Sequence, residues 1–535
     1  MVRTDILIVG AGFAGLYMLH QSRKLGFAAR VIEAGEGVGG TWYWNRYPGA
    51  RCDVESMSYS FSFSEELQQE WRWSHRYATQ PEILRYANHV ADRFDLRRDI
   101  TFGTRVTSAR WCEEALHWRV STGKGEVIEA RFVVMATGCL SVPKVPDLPH
   151  LEAFGGEVLH TARWPADGVD FAGRRVGLIG TGSSAIQSIP HIAKQAAHLT
   201  VFQRTPNFSV PAWNAALDPD QESEMKRRYP ELRAKSRASY AGDYADEGVV
   251  KLLDLDAAEQ EQALERRWQQ GGFNLQYAFT DVMVSEEANR IAADFVRNKI
   301  RAVVHDPETA ERLCPKDHPF GTKRLCVDTD YYETYNRPNV SLVDLREEPI
   351  ERFTPQGLET SASHYEFDTL VLATGFDAMT GALTAIDIRG AGGQSLKETW
   401  RDGPAAYLGI AIAGFPNLFT LTGPGSPSVF ANVVLAIEQH VEGLSGFLAH
   451  AKDHRVTRIE ADAEAQAKWV KRVDDGANAT LFPLANSWYV GANVPGKPRV
   501  FMPFADGFCI YEKICNDIAS HGYEGFHLAP ALETA

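Results

Sequence analysis

Two glycine-rich segments have the residue types and the spacing of loops that bind phosphate groups. The first, Gly10-Ala11-Gly12-Phe13-Ala14-Gly15, directly follows the apolar run Ile6–Val9. Between a strand and a helix, this G-x-G-x-x-G pattern allows a tight turn at the first glycine and a close approach to a pyrophosphate at the second. The third glycine lets the strand and the helix pack closely. The N–H groups at the start of the helix would then donate to the phosphate.

An acidic residue follows this loop at the distance expected for ribose recognition. The second apolar strand, Arg30–Glu33, ends at Glu33, close to the ~20 residues typical of such sites. A carboxylate there accepts hydrogen bonds from a ribose 2′-hydroxyl and repels a 2′-phosphate. The first loop therefore favours FAD or NAD over NADP. A chance glycine-rich turn is the alternative, and the strand, the helix and the acid together argue against it.

The second loop, Gly180-Thr181-Gly182-Ser183-Ser184-Ala185, has alanine at the third glycine position, which is a permitted variant. The strand after it ends in Gln203-Arg204-Thr205, where an arginine follows and an acid is missing. A guanidinium matches a phosphate with two parallel hydrogen bonds, so Arg204 would recognise a 2′-phosphate. This loop therefore favours NADPH. The alternative is that Arg204 is only a solvated charge at a strand end.

Such loops must be carried by α/β elements, and the chain shows these elements twice. A strand, a glycine-rich turn and a helix occur at Asp5–Leu25 and again at Arg175–Ala196. Each block is closed later by a strand that ends in Ala-Thr-Gly, at Phe132–Gly138 and at Thr369–Gly375. We therefore predict an α/β fold with two Rossmann-like dinucleotide-binding domains, the first for FAD or NAD and the second for NADP. The family resemblance given below implies FAD for the first.

The length of the chain, 535 residues, suits about three domains. Between Trp213 and His305, charged and apolar residues recur with helical spacing, which predicts a mostly helical insertion in the NADP domain. After Gly381 the sequence returns to mixed strand and turn. We assign residues 1–141 and 377–535 to a discontinuous FAD-binding domain, 142–213 and 306–376 to the NADP-binding domain, and 214–305 to the helical insertion.

The composition argues against several classes of protein. The net charge is −14, from 55 basic and 69 acidic residues, so we expect no nucleic-acid partner. Seven cysteines are scattered without a C-x-x-C pair, which argues against a disulfide framework, a zinc site and a dithiol centre and favours the reducing cytoplasm. No run of about 18 apolar residues occurs, so no membrane span is predicted. We expect a cytoplasmic protein with no metal site, and no protein partner is evident.

Two longer motifs lie outside the glycine loops. One reads F-x-G-x-x-x-H-x-x-x-W-P, and its fixed residues are Phe154, Gly156, His160, Trp164 and Pro165. The other, Gly39–Asp53, reads G-G-x-W-x-x-x-x-Y-P-G-x-x-x-D. Both motifs are complete at every fixed position. Because of these two motifs, the chain resembles the type I flavoprotein Baeyer–Villiger monooxygenases, such as the phenylacetone and cyclohexanone enzymes. In motif order the resemblance covers the chain from Asp5 to about Phe504.

The resemblance implies an NADPH- and FAD-dependent enzyme that converts ketones to esters or lactones with O2 through a C4a-peroxyflavin. A deprotonated peroxide can attack a ketone if a cation stabilises it and water is excluded. By resemblance, Arg324 of the pair Lys323-Arg324 is that cation, and it also stabilises the oxyanion of the Criegee adduct. Asp53 would pair with Arg324 and stay ionised. Taken alone, Lys323-Arg324 would be a solvated basic loop and Asp53 a helix N-cap.

The full set of expected site residues combines the loops with the resemblance. Those expected around FAD are Gly10, Gly12, Ala14, Gly15, Glu33, Gly40, Thr41, Trp42, Trp44, Asp53, Tyr59 and Val106. Those expected around NADP are Arg51, Cys52, Gly180, Thr181, Gly182, Ser183, Ser184, Ala185, Gln187, Arg204, Thr205, Lys323, Arg324 and Trp488. Ser428, Val429 and Phe430 are expected to line the substrate pocket. His160 is expected to be a hinge residue rather than a proton-transfer group, and Trp488 to fold over NADP rather than only to pack in the core.

Two other functions fit part of the pattern. Related flavin monooxygenases that oxygenate N or S heteroatoms have a similar linker, usually with Tyr or Phe in place of Trp164. Those enzymes stabilise a protonated, electrophilic hydroperoxide. The second alternative is a redox-sensing or scaffold flavoprotein, which the Lys323-Arg324 pair and the loop around Trp488 oppose.

Overall fold

The computed structural model describes residues 2–530, in which strands and helices alternate. The strands are β1 (Val2–Val9), β2 (Ala29–Ile32), β3 (Ile100–Thr101), β4 (Val106–Cys112), β5 (His117–Thr122), β6 (Val127–Met135), β7 (Glu157–His160), β8 (Arg175–Ile179), β9 (His198–Gln203), β10 (Ser209–Pro211), β11 (Cys326–Asp328), β12 (Val340–Asp344), β13 (Ile350–Thr354), β14 (Gly357–Thr360), β15 (His364–Glu366), β16 (Thr369–Leu372), β17 (Asp387–Arg389), β18 (Leu418–Thr420), β19 (Val456–Ala461) and β20 (Phe526–Pro530). The α-helices are α1 (Phe13–Lys24), α2 (Thr41–Trp44), α3 (Glu65–Glu70), α4 (Gln80–Arg93), α5 (Ser183–Ala193), α6 (Pro219–Arg227), α7 (Tyr229–Ala238), α8 (Ala257–Gln270), α9 (Glu286–Val303), α10 (Pro307–Leu313), α11 (Tyr331–Thr334), α12 (Gly381–Thr384), α13 (Leu396–Thr399), α14 (Val433–Asp453), α15 (Ala463–Asn478) and α16 (Phe508–Ser520). Among these helices, none combines the length and the apolar character needed to cross a membrane.

The first sheet carries the first glycine loop. Its strands run in the order β17-β4-β5-β6-β1-β2-β3, and β18 pairs with β6. Strand β1 lies between β6 and β2 and is parallel to both. Its apolar run Ile6–Val9 is buried on both faces, as a central strand of a parallel sheet requires. Helix α1 follows and packs on β1 and β2, so the strand–loop–helix unit predicted at Asp5–Leu25 is confirmed.

The second sheet carries the second glycine loop. It has five parallel strands in the order β12-β9-β8-β16-β7. Strand β8 lies beside β9, and the loop after β8 leads into α5. In sheets of this kind, nucleotides bind beyond the carboxyl ends of the strands, where these loops are found. The first sheet is mixed, with β5 antiparallel to β4 and β6, and the second is all parallel. Each has a glycine loop after a parallel strand, which confirms the predicted α/β class with two Rossmann-like modules.

Distant parts of the chain complete the first sheet. Strand β17 pairs with β4, and β18 pairs with β6. Helix α14, most of whose residues are buried, packs along α1. The chain after residue 377 therefore returns to the first sheet, which agrees with a discontinuous first domain, although the exact boundaries stay a prediction.

Four helices, α6 to α9, occupy much of the segment between residues 214 and 305, as its helical spacing predicts. Polar residues define where these helices begin: Asp256 forms a capping box with Glu259 at α8, and Ser285 caps α9. The buried face of α9, including Val296 and Ile300, belongs to one hydrophobic core with the strands of the second sheet. The insertion is therefore held firmly against the second module.

Candidate active site

The first glycine loop adopts the backbone that its sequence requires. Gly10 has φ = +106°, and a Cβ at this position would lie 2.5 Å from the carbonyl oxygen of Ala136. A Cβ on Gly15 would overlap the carbonyl oxygen of Gly10. The left-handed φ and the close packing of β1, α1 and the end of β6 thus demand glycine at both positions.

The helix after this loop offers its first N–H groups to an anion. Helix α1 begins after Gly12, no side chain accepts a hydrogen bond from its first turn, and that turn contains no acidic residue. A Cβ on Gly12 would lie 3.4 Å from the Cα of Gly40, so two glycine backbones face each other here. Helices α8 and α9, by contrast, are capped by carboxylate and hydroxyl side chains. An uncapped helix start framed by bare backbone fits the pyrophosphate of FAD.

Glu33 lies directly after β2 and is 5% exposed. Its carboxylate accepts hydrogen bonds from the backbone N–H groups of Ala11 and Gly35, each at 2.6 Å. Burial raises the pKa of Glu33 above its ordinary value, whereas the two N–H groups lower it. The carboxylate therefore stands beside the glycine loop, where the sequence argument expects a ribose.

The other residues expected around FAD differ in how much of each side chain is exposed and could contact a ligand. Trp42 is buried, and its Nε1 donates to the hydroxyl of Tyr59 at 3.0 Å. Trp44 is 38% exposed and its ring contacts only that of Tyr43 among the aromatic rings of the described chain. Val106 is buried in the core of the first sheet. The side chain of Val106 is therefore closed to a ligand, whereas that of Trp44 is accessible.

The second glycine loop repeats this geometry. Gly180 has φ = +126°, and a Cβ there would overlap the carbonyl oxygen of Ala373. Helix α5 begins after Gly182, again with no side-chain cap and no acidic residue in its first turn. The hydroxyl of Thr181 donates to the carbonyl oxygen of Thr205 at 2.5 Å, which ties the loop to the segment after β9. The loop therefore forms a second cradle for an anion.

Two cations stand close together near the end of β9. Arg204 is exposed and Lys323 is half-buried. Burial lowers the pKa of Lys323, Asp317 opposes this effect, and the charge of Arg204 lowers the pKa further. The mutual repulsion of Arg204 and Lys323 suits a ligand with more than one negative charge, such as a 2′-phosphate.

Arg51 and Gln187 join the two modules. The hydroxyl of Tyr47 donates to Oε1 of Gln187 at 2.8 Å, and Nε2 of Gln187 donates to the carbonyl oxygen of Arg51 at 3.2 Å. Burial lowers the pKa of Arg51. Its Nη1 is buried and has no hydrogen-bond partner between residues 2 and 530. A buried guanidinium nitrogen without a partner fits a site that receives an anionic cofactor.

Arg324 and Asp53, which come from different motifs, form an ion pair. Nε of Arg324 donates to Oδ2 of Asp53 at 3.1 Å, and Nη2 donates to Oδ1 at 2.8 Å. Nη1 donates to the carbonyl oxygen of Val429 at 2.7 Å, and the guanidinium lies 4.8 Å from the ring centre of Phe273. Burial opposes the charge, but Asp53 raises the pKa of Arg324 above its ordinary value. The guanidinium is therefore permanently charged and fixed in orientation.

The two adjacent cations face different surroundings. Lys323 is influenced by Asp317 and Arg204, whereas Arg324 binds Asp53. Lys323 lies in a bend and Arg324 in the irregular stretch just before the short strand β11. Arg324 lines the cavity described next, whereas Lys323 lies near Arg204 and is not among the residues that line it.

A cavity opens beside Arg324. Arg324 and Asp53 line it together with Phe273, Tyr277, Val429 and Phe430. Ser428 is buried with φ = +43°, a turn that directs the Val429 carbonyl oxygen to Arg324. The ring of Phe430 stacks on that of Phe482, with 4.7 Å between ring centres. Of the three residues expected in a substrate pocket, Val429 and Phe430 line this cavity, and Ser428 supports them.

The insertion supplies cavity residues that no motif indicated. Phe273 and Tyr277 lie between α8 and α9, and burial raises the pKa of Tyr277 to about 12, so its hydroxyl stays protonated at neutral pH. Tyr489 packs edge-on against Phe430, with 4.7 Å between ring centres. Helical spacing predicted the insertion but not which side meets Arg324. In the sequence, the only feature that pointed to Tyr489 is its position next to Trp488.

Trp488 lies in a segment that rests on the stretch after β16. Its side chain is half-buried and packs against a small core that includes Met379. Nδ2 of Asn493 donates to the carbonyl oxygen of Phe376 at 2.7 Å, and Lys497 pairs with Asp377 at 2.6 Å. A segment held by a few polar contacts beside the second module suits a cover for NADP.

His160, the last residue of β7, contacts Lys144 and Thr374 and is not among the residues that line the cavity. Its Nδ1 accepts from the Ala162 N–H at 3.0 Å, so its Nε2 carries the proton and donates to the carbonyl oxygen of Lys144 at 3.1 Å. The hydroxyl of Thr374 donates to the same carbonyl oxygen at 2.6 Å. Burial lowers the pKa of His160, which keeps the imidazole neutral. These contacts favour a role in the linker between the modules.

The rest of the fingerprint is packed tightly. A Cβ on Gly156 would overlap the ring of Phe154, and Phe154 packs against Phe367 with 5.1 Å between ring centres. Trp164 is buried against Phe171. The fixed residues of this motif therefore shape the linker.

The chain is similar to known proteins over nearly all of its length. A family profile described as pyridine nucleotide-disulphide oxidoreductase matches residues 7–266. Cyclopentanone 1,2-monooxygenase of Comamonas sp. (strain NCIMB 9872) is 41% identical, over 98% of this chain and 96% of that protein. A Baeyer–Villiger monooxygenase of Pseudooceanicola batsensis is 40% identical, over 97% of this chain and 95% of that protein. Phenazine N-monooxygenase PhzNO1 of Lysobacter antibioticus is 41% identical, over 98% and 97%.

Solved structures agree with this result. An oxidized steroid monooxygenase bound to NADP is 52% identical and superposes with a TM-score of 0.95, over 99% of this chain and all of that one. Cyclohexanone monooxygenase in a closed form is 42% identical, with a TM-score of 0.97 over 99% of this chain and all of that one. One conclusion follows from the two glycine loops, the Arg324–Asp53 pair and this full-length similarity. The chain belongs to the type I Baeyer–Villiger monooxygenases, a family of flavin-dependent enzymes.

Proposed function

We propose that this protein is an NADPH- and FAD-dependent Baeyer–Villiger monooxygenase that converts ketones to esters or lactones with O2. The observation that carries the proposal is the guanidinium of Arg324, held by Asp53 at the wall of a cavity with aromatic sides. Two uncapped glycine loops supply the places for two dinucleotides. The membership of the chain in this family over its full length supports the same activity.

The side chains of the cavity stabilise developing negative charge and orient the reacting groups, which FAD by itself does not do. The glycine loop before α1, with Glu33 beside it, would hold FAD, which would supply hydride acceptance from NADPH and the activation of dioxygen. Arg324 places a fixed positive charge where negative charge develops on the attacking oxygen and on the ketone oxygen. Asp53 orients that charge through three hydrogen bonds. The aromatic rings of Phe273, Tyr277 and Phe430 line the cavity, and an electrostatic effect of this kind is stronger where such rings leave less room for water.

Product analysis with labelled dioxygen tests the activity directly. The FAD-loaded enzyme, given NADPH, 18O2 and 4-phenylbutan-2-one, should form an ester that contains one labelled oxygen atom for each NADPH oxidised. The other labelled atom should leave as water. Mass spectrometry of the ester and the absorbance of NADPH measure the two quantities. Oxidation of NADPH with hydrogen peroxide as the only product would contradict the proposal.

Oxygenation at nitrogen or sulfur is the second candidate function. It is favoured by the relative named phenazine N-monooxygenase, whose identity to this chain equals that of the cyclopentanone enzyme. Trp164, where heteroatom enzymes usually have Tyr or Phe, favours the ketone reaction. Parallel assays of a ketone and a sulfide across a range of pH separate the two functions. Conversion of the sulfide alone would overturn the role that we propose for Arg324.

Replacement of Arg204 by alanine should weaken the preference for NADPH over NADH. Loss of charge-assisted hydrogen bonds to a 2′-phosphate costs about 1.5–3 kcal/mol, so kcat/KM for NADPH should fall by about 10- to 150-fold while that for NADH changes little. Steady-state kinetics with both nucleotides measures this effect. Arg266, an exposed arginine on α8, provides the matched alanine control. An unchanged ratio of NADPH to NADH activity in the Arg204 variant would refute the assignment.

The finer assignments belong to the same proposal. We propose the FAD- and NADP-binding residues named in the sequence analysis as cofactor contacts, and the domain boundaries 1–141 with 377–535, 142–213 with 306–376, and 214–305. The proposed small-molecule partners are a ketone and O2. All seven cysteines are free thiols, which suits the reducing cytoplasm that we propose as the compartment.

A further inference from the structure

The proposed reaction uses one carboxylate of the cavity beside Arg324, that of Asp53, but the cavity is lined by others as well. Besides Asp53, four carboxylates line it: Glu55, Asp243, Asp246 and Glu247. Three of these belong to one short stretch of the helical insertion, between α7 and α8. The insertion therefore gives the cavity an acidic wall, formed by Asp243, Asp246 and Glu247, and Arg324 is the single cation among the residues that line it.

Three of the carboxylates are neutralised by cations. Asp53 binds Arg324 at 2.8 Å. Glu55 pairs with Arg76 at 2.6 Å, and Asp246 pairs with Lys235 at 2.5 Å. These pairs contribute little net charge to a ligand in the cavity, because each carboxylate is compensated at short range.

Asp243 and Glu247 have no such compensation. Asp243 accepts from the backbone N–H of Ala245 at 3.2 Å, and Glu247 accepts from that of Ala241 at 3.0 Å. Neither forms an ion pair with a cation in the part of the chain that the structure describes. Both are partly buried, so solvent screens them less than surface groups. Burial and the nearby charge of Glu55 raise the pKa of Asp243 to about 6, so above that pH the cavity has two carboxylates without a compensating cation.

Aromatic rings lie beside these carboxylates. Tyr77, Phe273 and Tyr277 line the same cavity. Carboxylates combined with aromatic faces favour an ammonium group, because the carboxylates attract the charge and the rings favour it as it leaves water. The same wall repels a carboxylate or a phosphate on a substrate.

We propose that Asp243 and Glu247 make this enzyme selective for ketones that carry a protonated amine, and that they discriminate against ketones that carry an anionic group. The inference rests on the proposed oxygenation of ketones in this cavity. Arg324 serves the carbonyl end of the substrate, and the acidic wall serves the far end. The two carboxylates are specificity residues and take no part in the oxygen transfer itself.

Three ketones of similar shape test the proposal. They are 4-arylbutan-2-ones with an aminomethyl, an ethyl or a carboxylate group at the para position. A charge about 6 Å from an uncompensated carboxylate, at an effective dielectric between protein and water, changes kcat/KM by about tenfold. We expect kcat/KM to fall in the order aminomethyl, ethyl, carboxylate, by about tenfold at each step, and the steps to shrink as salt is added.

Two variants assign the effect to the two carboxylates. In the double variant Asp243→Asn with Glu247→Gln, the ratio of kcat/KM between the aminomethyl and carboxylate ketones should fall from about 100-fold to below about tenfold. Glu261→Gln removes one charge from the exposed side of α8 and should leave this ratio within about twofold. Calorimetry with the three corresponding alcohols, which are not oxygenated, should show the same order in Kd. That measurement also holds if a variant has altered turnover.

The outcomes separate this inference from the proposed function. If none of the three ketones yields an ester, the proposed function fails. If the ethyl ketone is converted but the three substrates and the three alcohols show no dependence on charge, or the reverse order, the selectivity proposal alone is wrong. Equal ratios in the double variant and in Glu261→Gln would also refute it.

Discussion

Replacing Arg324 by alanine is expected to lower ester formation by about 10²- to 10³-fold while FAD stays bound and NADPH is still oxidised. The guanidinium is held by Asp53 and by the Val429 carbonyl oxygen, and it stands at the cavity wall. Without this charge, nothing in the described cavity lining offsets the negative charge of the attacking oxygen. Oxygen consumption should then produce hydrogen peroxide in place of ester. Product analysis and anaerobic stopped-flow reduction by NADPH measure the two halves of the reaction separately.

Two neighbouring substitutions serve as controls for Arg324→Ala. Lys323→Ala removes the adjacent cation, which faces Arg204, and should weaken NADPH binding but keep the yield of ester per NADPH. Arg324→Lys keeps a charge but loses the two-pronged contact with Asp53, and should retain only part of the activity. Ester formation at the wild-type rate in Arg324→Ala would show that another group stabilises the oxygen.

Replacing Asp53 by asparagine is expected to lower kcat for ester formation by about 10²-fold, with FAD still bound. The substitution keeps the shape of the side chain but removes its charge, so the three hydrogen bonds from Arg324 lose their charge assistance and those that meet the new amide nitrogen are lost. Hydrogen bonds to charged groups contribute about 1.5–3 kcal/mol each. The guanidinium would then adopt several orientations, and only some of them face the reacting atoms. Asp53→Glu should restore part of the activity, because it returns the charge.

A combined variant tests whether Asp53 acts through Arg324. If its only role is to position the guanidinium, Asp53→Asn added to Arg324→Ala should cause no further loss. A role in general folding would instead add its own cost in the double variant. Asp344→Asn breaks a similar two-pronged pair, with Arg346 in the second module, and should leave ester formation unaffected. Additive losses for Asp53 and Arg324 would contradict the positioning role.

Local sequence patterns were sufficient to predict both nucleotide-binding modules. The apolar runs at Ile6–Val9 and Arg175–Ile179 form central parallel strands, and the glycines after them take the backbone angles that these turns need. These features depend on residues within about twenty positions of one another. The backbone permits few alternatives at Gly10 and Gly180, so their conformation can be inferred without knowledge of the rest of the fold.

The Arg324–Asp53 contact was implied by the family resemblance rather than by any local rule. The two residues lie 271 positions apart, and their pairing depends on how the first and second modules pack. The same is true of Gln187 against Arg51. A motif that is complete at every fixed position carries this long-range information, because the motif belongs to a fold in which the contact is made.

The cavity wall could be found only from the packed chain. Helical spacing predicted α6 to α9 but did not show that the stretch with Asp243 and Glu247 would face Arg324, or that Phe273 would lie beneath the guanidinium. Strands and glycine turns follow from backbone geometry and hydrogen bonding between near neighbours. Which charges meet across a cavity follows from how distant hydrophobic faces are buried together, and here that burial sets the insertion against the second sheet.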